Sequence, residues 1–121
     1  RNVDQMSIQK IGEELKNISQ LCRELKIDKK EFFGGSMTIS SLGGIGGTHF
    51  TPIINPPEVA ILGVGRTFDR LVKEKNQIVS KKILPISLSY DHRLIDGAEG
   101  ARFCVYLGKC LGKDFAFKLA V

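Results

Sequence analysis

The sequence predicts an α/β fold: a two-layer sandwich with helices on one face of a mixed or largely antiparallel sheet. Three observations predict it. The first 25 residues space their apolar side chains as a helix does. Residues 37–90 hold several apolar or alternating runs of strand length. Residues 97–112 return to helical spacing behind a capping sequence. A helix, then strands, then a helix is the element order of a layered α/β domain. At 121 residues the chain suffices for one domain with a core and is too short for two of ordinary size.

Composition narrows the class. Hydrophobic residues make up 42% and charged residues 26%, the balance of a globular protein. No window approaches the run of about 18 apolar residues that a membrane-spanning helix needs, and no signal-peptide pattern opens the chain. No membrane partner is therefore expected. The chain starts at Arg1, without an initiator Met, and runs at once into Val3, Met6 and Ile8, which suggests a fragment of a longer protein. The net charge of +5 is spread along the chain, too diffuse for a nucleic-acid partner. Cys22, Cys104 and Cys110 are odd in number and lack C-x-x-C spacing, and His49 and His92 lie far apart. Neither a disulfide framework nor a metal site is expected. Cys22 and Cys104 fall on apolar helix stripes and read as buried thiols in a reducing compartment, which predicts a cytoplasmic location.

Ile8, Ile11, Leu15, Ile18, Cys22 and Leu25 draw one stripe down the first helix, opposite a polar face that includes Lys10, Glu13 and Arg23. The stripe predicts a core-packing helix; a short coiled-coil seam fits the same spacing less well. Asp28 to Gly35 reads as a charged connector. Met37 to Ser41 is a predicted strand, followed by Leu42-Gly43-Gly44-Ile45-Gly46-Gly47-Thr48. Those glycines lack the spacing and the following Lys of a phosphate loop, so a flexible or tightly turned loop is expected. Pro52, Pro56 and Pro57 stiffen the connector that follows. Val59 to Val64 is continuously apolar, as in a strand buried on both faces. Phe68 to Leu71 and Ile78 to Leu84 predict a hairpin whose wet tip holds the basic cluster Lys73, Lys75, Lys81 and Lys82. Pro85 suits a strand start.

Ile86 to Tyr90 alternates Ile86, Leu88 and Tyr90 with Ser87 and Ser89, so one face of this strand is apolar. Asp91-His92-Arg93 follows where the strand runs out. Asp96, with Glu99 three residues on, is the D-x-x-E form of a capping box for a helix from about Gly97 to Gly112. Ala101, Cys104, Val105, Gly108 and Leu111 line one side of it, and Gly108 is expected to allow a close approach to the sheet.

His92 is the first candidate for chemistry, because histidine exchanges protons near neutrality and strand ends carry function. A satisfied structural histidine is the plainer reading of a lone His. Asp96 is fully explained as a helix cap, Ser40 as a half-buried strand serine, and Arg93 as a partner of Asp91 or Asp96. What adds weight is the combination: Asp91 to Gly97 reads D-H-R-x-x-D-G, and Thr38-Ile39-Ser40-Ser41-Leu42-Gly43-Gly44 lies upstream.

Together with Gly34-Gly35, Gly43 to Phe50, Pro52-Ile53-Ile54 and Pro57 to Val64, these segments resemble the acyltransferase core component of 2-oxo acid dehydrogenase complexes. The resemblance covers essentially the whole chain. It implies the fold of chloramphenicol acetyltransferase. It also implies that residues 1–121 are the C-terminal half of the catalytic domain, without the lipoyl, subunit-binding and N-terminal catalytic segments. The implied reaction moves an acyl group between dihydrolipoamide and coenzyme A. His92 matches the family's catalytic base, Ser40 its hydroxyl donor to the oxyanion, and Asp96 its second motif acid, here given an orienting and capping role. Coenzyme A enters as substrate, the lipoyl group sits on a domain outside this chain, and no metal is implied.

By the same resemblance the partners are two further copies in a homotrimer, with the histidine of one chain facing the serine of its neighbour. Trimers build a large hollow core that carries the dehydrogenase components. The location implied is the cytoplasm of a bacterium or the mitochondrial matrix of a eukaryote. Thr38 to Ser41 and the loop after it look most like the acetyl-transferring class of pyruvate dehydrogenase complexes. Ser89 to Asp96 resembles the succinyl class too, and Pro57 to Ile61 the branched-chain class. A non-catalytic scaffold subunit is the rival reading, and the retained His92 speaks against it.

Overall fold

The computed structural model describes residues 2–112 and 115. They fall into two units, one formed by the N-terminal residues up to 34 with the stretch from 111 onward, the other by residues 35–110.

In the first unit, a 3-10 turn at Val3–Gln5 precedes helix α1, Ile8–Arg23. Ser7 caps α1 by accepting the Lys10 N–H at 3.3 Å. The helix closes on a Schellman motif: Lys26 N donates to Leu21 O at 2.9 Å and Leu25 N to Cys22 O at 3.1 Å. That motif puts Leu25 at φ 55°, a conformation glycine adopts at least cost. Leu25 therefore lies beyond the helix, 91% exposed, and does not continue the stripe. Of the rest, Ile11, Ile18 and Cys22 are half-buried while Ile8 and Leu15 are exposed, so the core-packing role expected for α1 is not met. The charged connector also holds a second 3-10 turn, Lys29–Phe32, capped by Asp28 accepting the Lys30 N–H at 2.9 Å.

The second unit is built on strand β2, Ala60–Val64. It pairs in parallel with β1, Met37–Ser41, and antiparallel with β5, Ile86–Tyr90, giving a mixed three-stranded sheet in the order β1-β2-β5. The continuous apolar run of β2 thus lies at the centre, where Ala60, Ile61 and Leu62 form the buried core. Strands β3, Phe68–Glu74, and β4, Gln77–Ile83, form a sheet of their own rather than extending the first. Their two-residue turn has positive φ at both Lys75 and Asn76, the geometry that matches strand twist. Of the basic cluster expected at the tip, Lys81 donates to Glu74, whereas Lys82 lies at the other end of the hairpin, 3.4 Å from Asp69.

The two faces of the mixed sheet carry different covers. Helix α2, Gly97–Cys110, packs on the face of Ala60, Leu88 and Tyr90. The β1–β2 connector covers the other face, with the Phe50 ring against Gly63 and Pro52 O accepting the Ser89 hydroxyl at 2.8 Å. The glycine loop is tightly turned and tied down, because Leu42 N donates to Val64 O and Arg66 N to Gly47 O.

The close helix–sheet approach occurs at Gly100, not at Gly108 as expected. A Cβ on Gly100 would stand 2.7 Å from Tyr90 Cε1, whereas one on Gly108 would meet nothing within 4 Å. The inward side of α2 accordingly runs through Gly100, Cys104 and Leu107, and Ala101, Val105 and Gly108 are exposed. Cys22 and Cys104 are half-buried rather than buried, and Cys22, Cys104 and Cys110 are free thiols.

Two substitutions separate these roles. Gly108→Ala is expected to raise the thermal midpoint, because alanine gains up to ~1 kcal/mol over glycine in an open helix position. Gly100→Ala is expected to lower it by forcing α2 off the Tyr90 ring. Equal effects from both, in thermal unfolding, would contradict this packing.

Candidate active site

Strand β5 delivers the motif to a corner. Its hydrogen-bond ladder continues one residue past Tyr90, where Asp91 N donates to Val59 O at 2.8 Å. The chain then turns, with the Asp91 carbonyl accepting the N–H groups of Leu94 and Ile95, both at 3.0 Å. His92 stands exposed on this turn. Two residues before it, at the end of β5, Tyr90 sets its ring 5.9 Å from the imidazole. Among the described residues no hydrogen bond reaches the His92 side chain. The Tyr90 neighbour was missed in the sequence, although the two-residue interval was a signal for it.

Arg93 selects Asp91, not Asp96. Its Nε donates to both Asp91 oxygens at 3.0 and 3.1 Å, and its Nη2 donates to Oδ2 at 2.6 Å. The Arg93 backbone N–H adds a fourth bond to Oδ1 at 3.0 Å. These donors, the guanidinium first, hold the Asp91 carboxyl at about 2, below the ordinary 3.8, and raise the Arg93 pKa in turn. Asp96 is left to the helix. Its Oδ1 accepts the Glu99 N–H at 2.7 Å, half of the expected capping box; among the described residues Glu99 does not bond back.

Ser40 lies at the other end of the sheet. Register puts it beside Gly63, and Gly63 beside Ser87, so the three share a row and a face. His92 is five residues beyond Ser87. At ~3.3 Å per residue, that offset is on the order of 15 Å along the sheet, before the strand spacing is added. One chain therefore does not bring Ser40 and His92 together. It does bring His92 and Asp96 to one corner, without a hydrogen bond between them among the described residues. No group of three or more His, Cys, Asp or Glu able to hold a metal occurs among the described residues, nor is any described helix long and apolar enough to cross a membrane.

Residues 1–116 match the model of the 2-oxoacid dehydrogenases acyltransferase catalytic domain. The chain belongs to this family. Among acyltransferase relatives, it is 50% identical over 111 residues to the dihydrolipoyllysine-residue acetyltransferase component of the Haemophilus influenzae pyruvate dehydrogenase complex, covering 92% of this chain and 20% of that protein. It is 46% identical over 115 residues to the same component from Cupriavidus necator, covering 95% and 21%. A solved structure of Azotobacter vinelandii dihydrolipoamide acetyltransferase superposes with a TM-score of 0.90 at 45% identity, covering all of this chain and 49% of that one. That work concerned the role of a serine, a histidine and an asparagine in the enzyme's catalytic mechanism. The cubic core of a pyruvate dehydrogenase multienzyme complex superposes equally well, at 44% identity. The α/β fold expected from the resemblance is thus the family's own. The chain spans about a fifth of these curated relatives and about half of the solved core chains.

The pH behaviour of this corner follows from Asp91. Its folded pKa is depressed, so the ion pair contributes stability that is present above the ordinary carboxylate range and lost as pH falls from about 4 through about 2. In denaturant unfolding, the native chain is expected to exceed Asp91→Asn in midpoint at pH 5–7, with the gap closing below pH 4. A gap independent of pH would contradict the pairing.

Proposed function

We propose that the protein carrying this chain is an acetyltransferase that moves an acetyl group between dihydrolipoamide and coenzyme A. In this reading residues 1–121 are the C-terminal half of its catalytic domain. The observation that carries the reading is an interval. The serine, histidine and asparagine studied in the Azotobacter vinelandii enzyme are spaced by 52 and 4 residues, and Ser40, His92 and Asp96 have the same spacing in this chain. Asp96 stands where that enzyme has its asparagine.

The chemistry suits the residue types. A thiol with a pKa near ~8.5 is only a few per cent ionised at neutral pH, so a base beside it raises the supply of thiolate. In the forward step His92 takes the proton of the coenzyme A thiol, and the sulfur attacks the carbonyl carbon of the acetyl thioester. The hydroxyl of Ser40 donates to the oxyanion of the tetrahedral intermediate. Collapse breaks the bond to the lipoyl sulfur, which leaves with the proton held on His92. Asp96 keeps the start of α2, and with it the corner, in place; asparagine caps a helix as well as aspartate does.

Because the sheet separates Ser40 from His92, the site is read as shared, the histidine of one chain meeting the serine of the next. A homotrimer supplies that arrangement, and trimers supply the hollow core of a complex with its dehydrogenase components and lipoyl domains. The curated relatives are bacterial proteins, which supports a cytoplasmic location.

The test is a rate panel on the full-length protein. Acetyl-CoA is expected to outrun succinyl- and isobutyryl-CoA. His92→Ala is expected to lower kcat by ~10²–10⁴-fold, and Ser40→Ala by ~10²–10³-fold with KM nearly unchanged. Asp96→Asn should stay within a few-fold of native. Native turnover by His92→Ala would sink the assignment.

A further inference from the structure

The imidazole that is to take the proton has no hydrogen-bonded orienter among the described residues, only the tilted Tyr90 ring with its centroid 5.9 Å away. Its direction must then come from the backbone that carries it. That backbone is closed on both sides of His92 by one carboxylate. Asp91 receives the Arg93 backbone N–H and three side-chain contacts from Arg93, so the residues flanking His92 are chelated to each other. The same Asp91 is anchored to the core, through its N–H on Val59 O and its carbonyl beneath Leu94 and Ile95.

Burial does not explain the pair. The Arg93 side chain is 88% exposed, against 20% for Asp91, and an exposed arginine loses rotamer freedom when it folds back. Helix capping does not explain it either, since Asp96 performs that task.

We propose that Asp91 and Arg93 are positioning residues, a two-toothed clamp that fixes the turn bearing His92 so that its imidazole faces the thiol. The proposal rests on His92 being the proton acceptor. The guanidinium matters for its shape: a planar fork can hold both carboxylate oxygens, while the point charge of a lysine cannot. A turn released from the clamp lets the imidazole move on the order of 1 Å, enough to cost up to ~10²-fold in rate. The proposal gives the clamp no contact with coenzyme A or dihydrolipoamide, so KM is expected to stay near native.

The experiment uses the assembled full-length protein and measures kcat, both KM values, the thermal midpoint and the particle size of Arg93→Gln and Arg93→Lys, with His92→Ala as control. Arg93→Gln is expected to lower kcat about tenfold or more, with KM within about twofold and an unchanged particle. Arg93→Lys is expected to recover part of that loss. A native kcat in Arg93→Gln, or a loss shared by particle size and midpoint, overturns the clamp. Should Arg93→Gln fail to assemble, Arg93→Lys decides: an intact particle with lowered kcat supports the clamp, and native kcat overturns it. Turnover by His92→Ala would show instead that the base assignment has failed, whatever Arg93 does.

Discussion

The register of β2 against its two neighbours is the constraint on which the rest depends. Ala60 faces Met37 on one side and Tyr90 on the other, and Gly63 faces Ser40 and Ser87. Sliding β5 by one residue would turn Leu88 and Tyr90 away from the α2 face, and sliding β1 would do the same to Met37 and Ile39. The same register sends the strand bearing Ser40 and the strand bearing His92 out at opposite ends, and on the proposed reading each chain then offers two half-sites rather than one whole site.

Each half-site is held by a different means. Ser40 sits in a paired strand whose face is covered by the β1–β2 connector, with Phe50 packed on Gly63 in the next strand. His92 sits on a turn, and turns need local closure. The Asp91–Arg93 pair closes it, Val59 anchors it, and Asp96 starts the helix that follows. Tyr90 links the two layers, touching Gly100 of α2 and lying beside the imidazole. The absence of a side chain at Gly100 is what lets the helix come down at this point.

Much of this was legible in the residues. The apolar run of β2 announced a central strand, the Ile86–Tyr90 alternation announced β5 and its apolar face, and Asp96 announced the start of α2. What the sequence hid were matters of side-chain direction. Gly108 and Gly100 are both helix glycines, and only the three-dimensional approach of Tyr90 shows which one is needed. Leu25 continued the spacing of α1, yet the helix ends before it, because the chain turns left-handed there to satisfy the last carbonyls. That β3 and β4 pair apart from the main sheet depends on long-range packing that a run of alternating residues does not encode. Leu71 and Ile78, 71% and 74% exposed on that hairpin, carry strand-like spacing without burial. The separation of Ser40 from His92 needed the register, since an interval of 52 positions in the chain says nothing of distance.

Mixed assemblies test the shared site most directly. Subunits carrying Ser40→Ala and subunits carrying His92→Ala, each nearly inactive alone, are to be co-assembled in equal amounts and assayed for acetyl transfer. If the histidine of one chain works with the serine of its neighbour, random assembly of a symmetric oligomer rebuilds roughly a quarter of the sites, and activity returns far above either variant. Activity no greater than that of the two variants measured separately would place both residues in one chain's site and contradict the account.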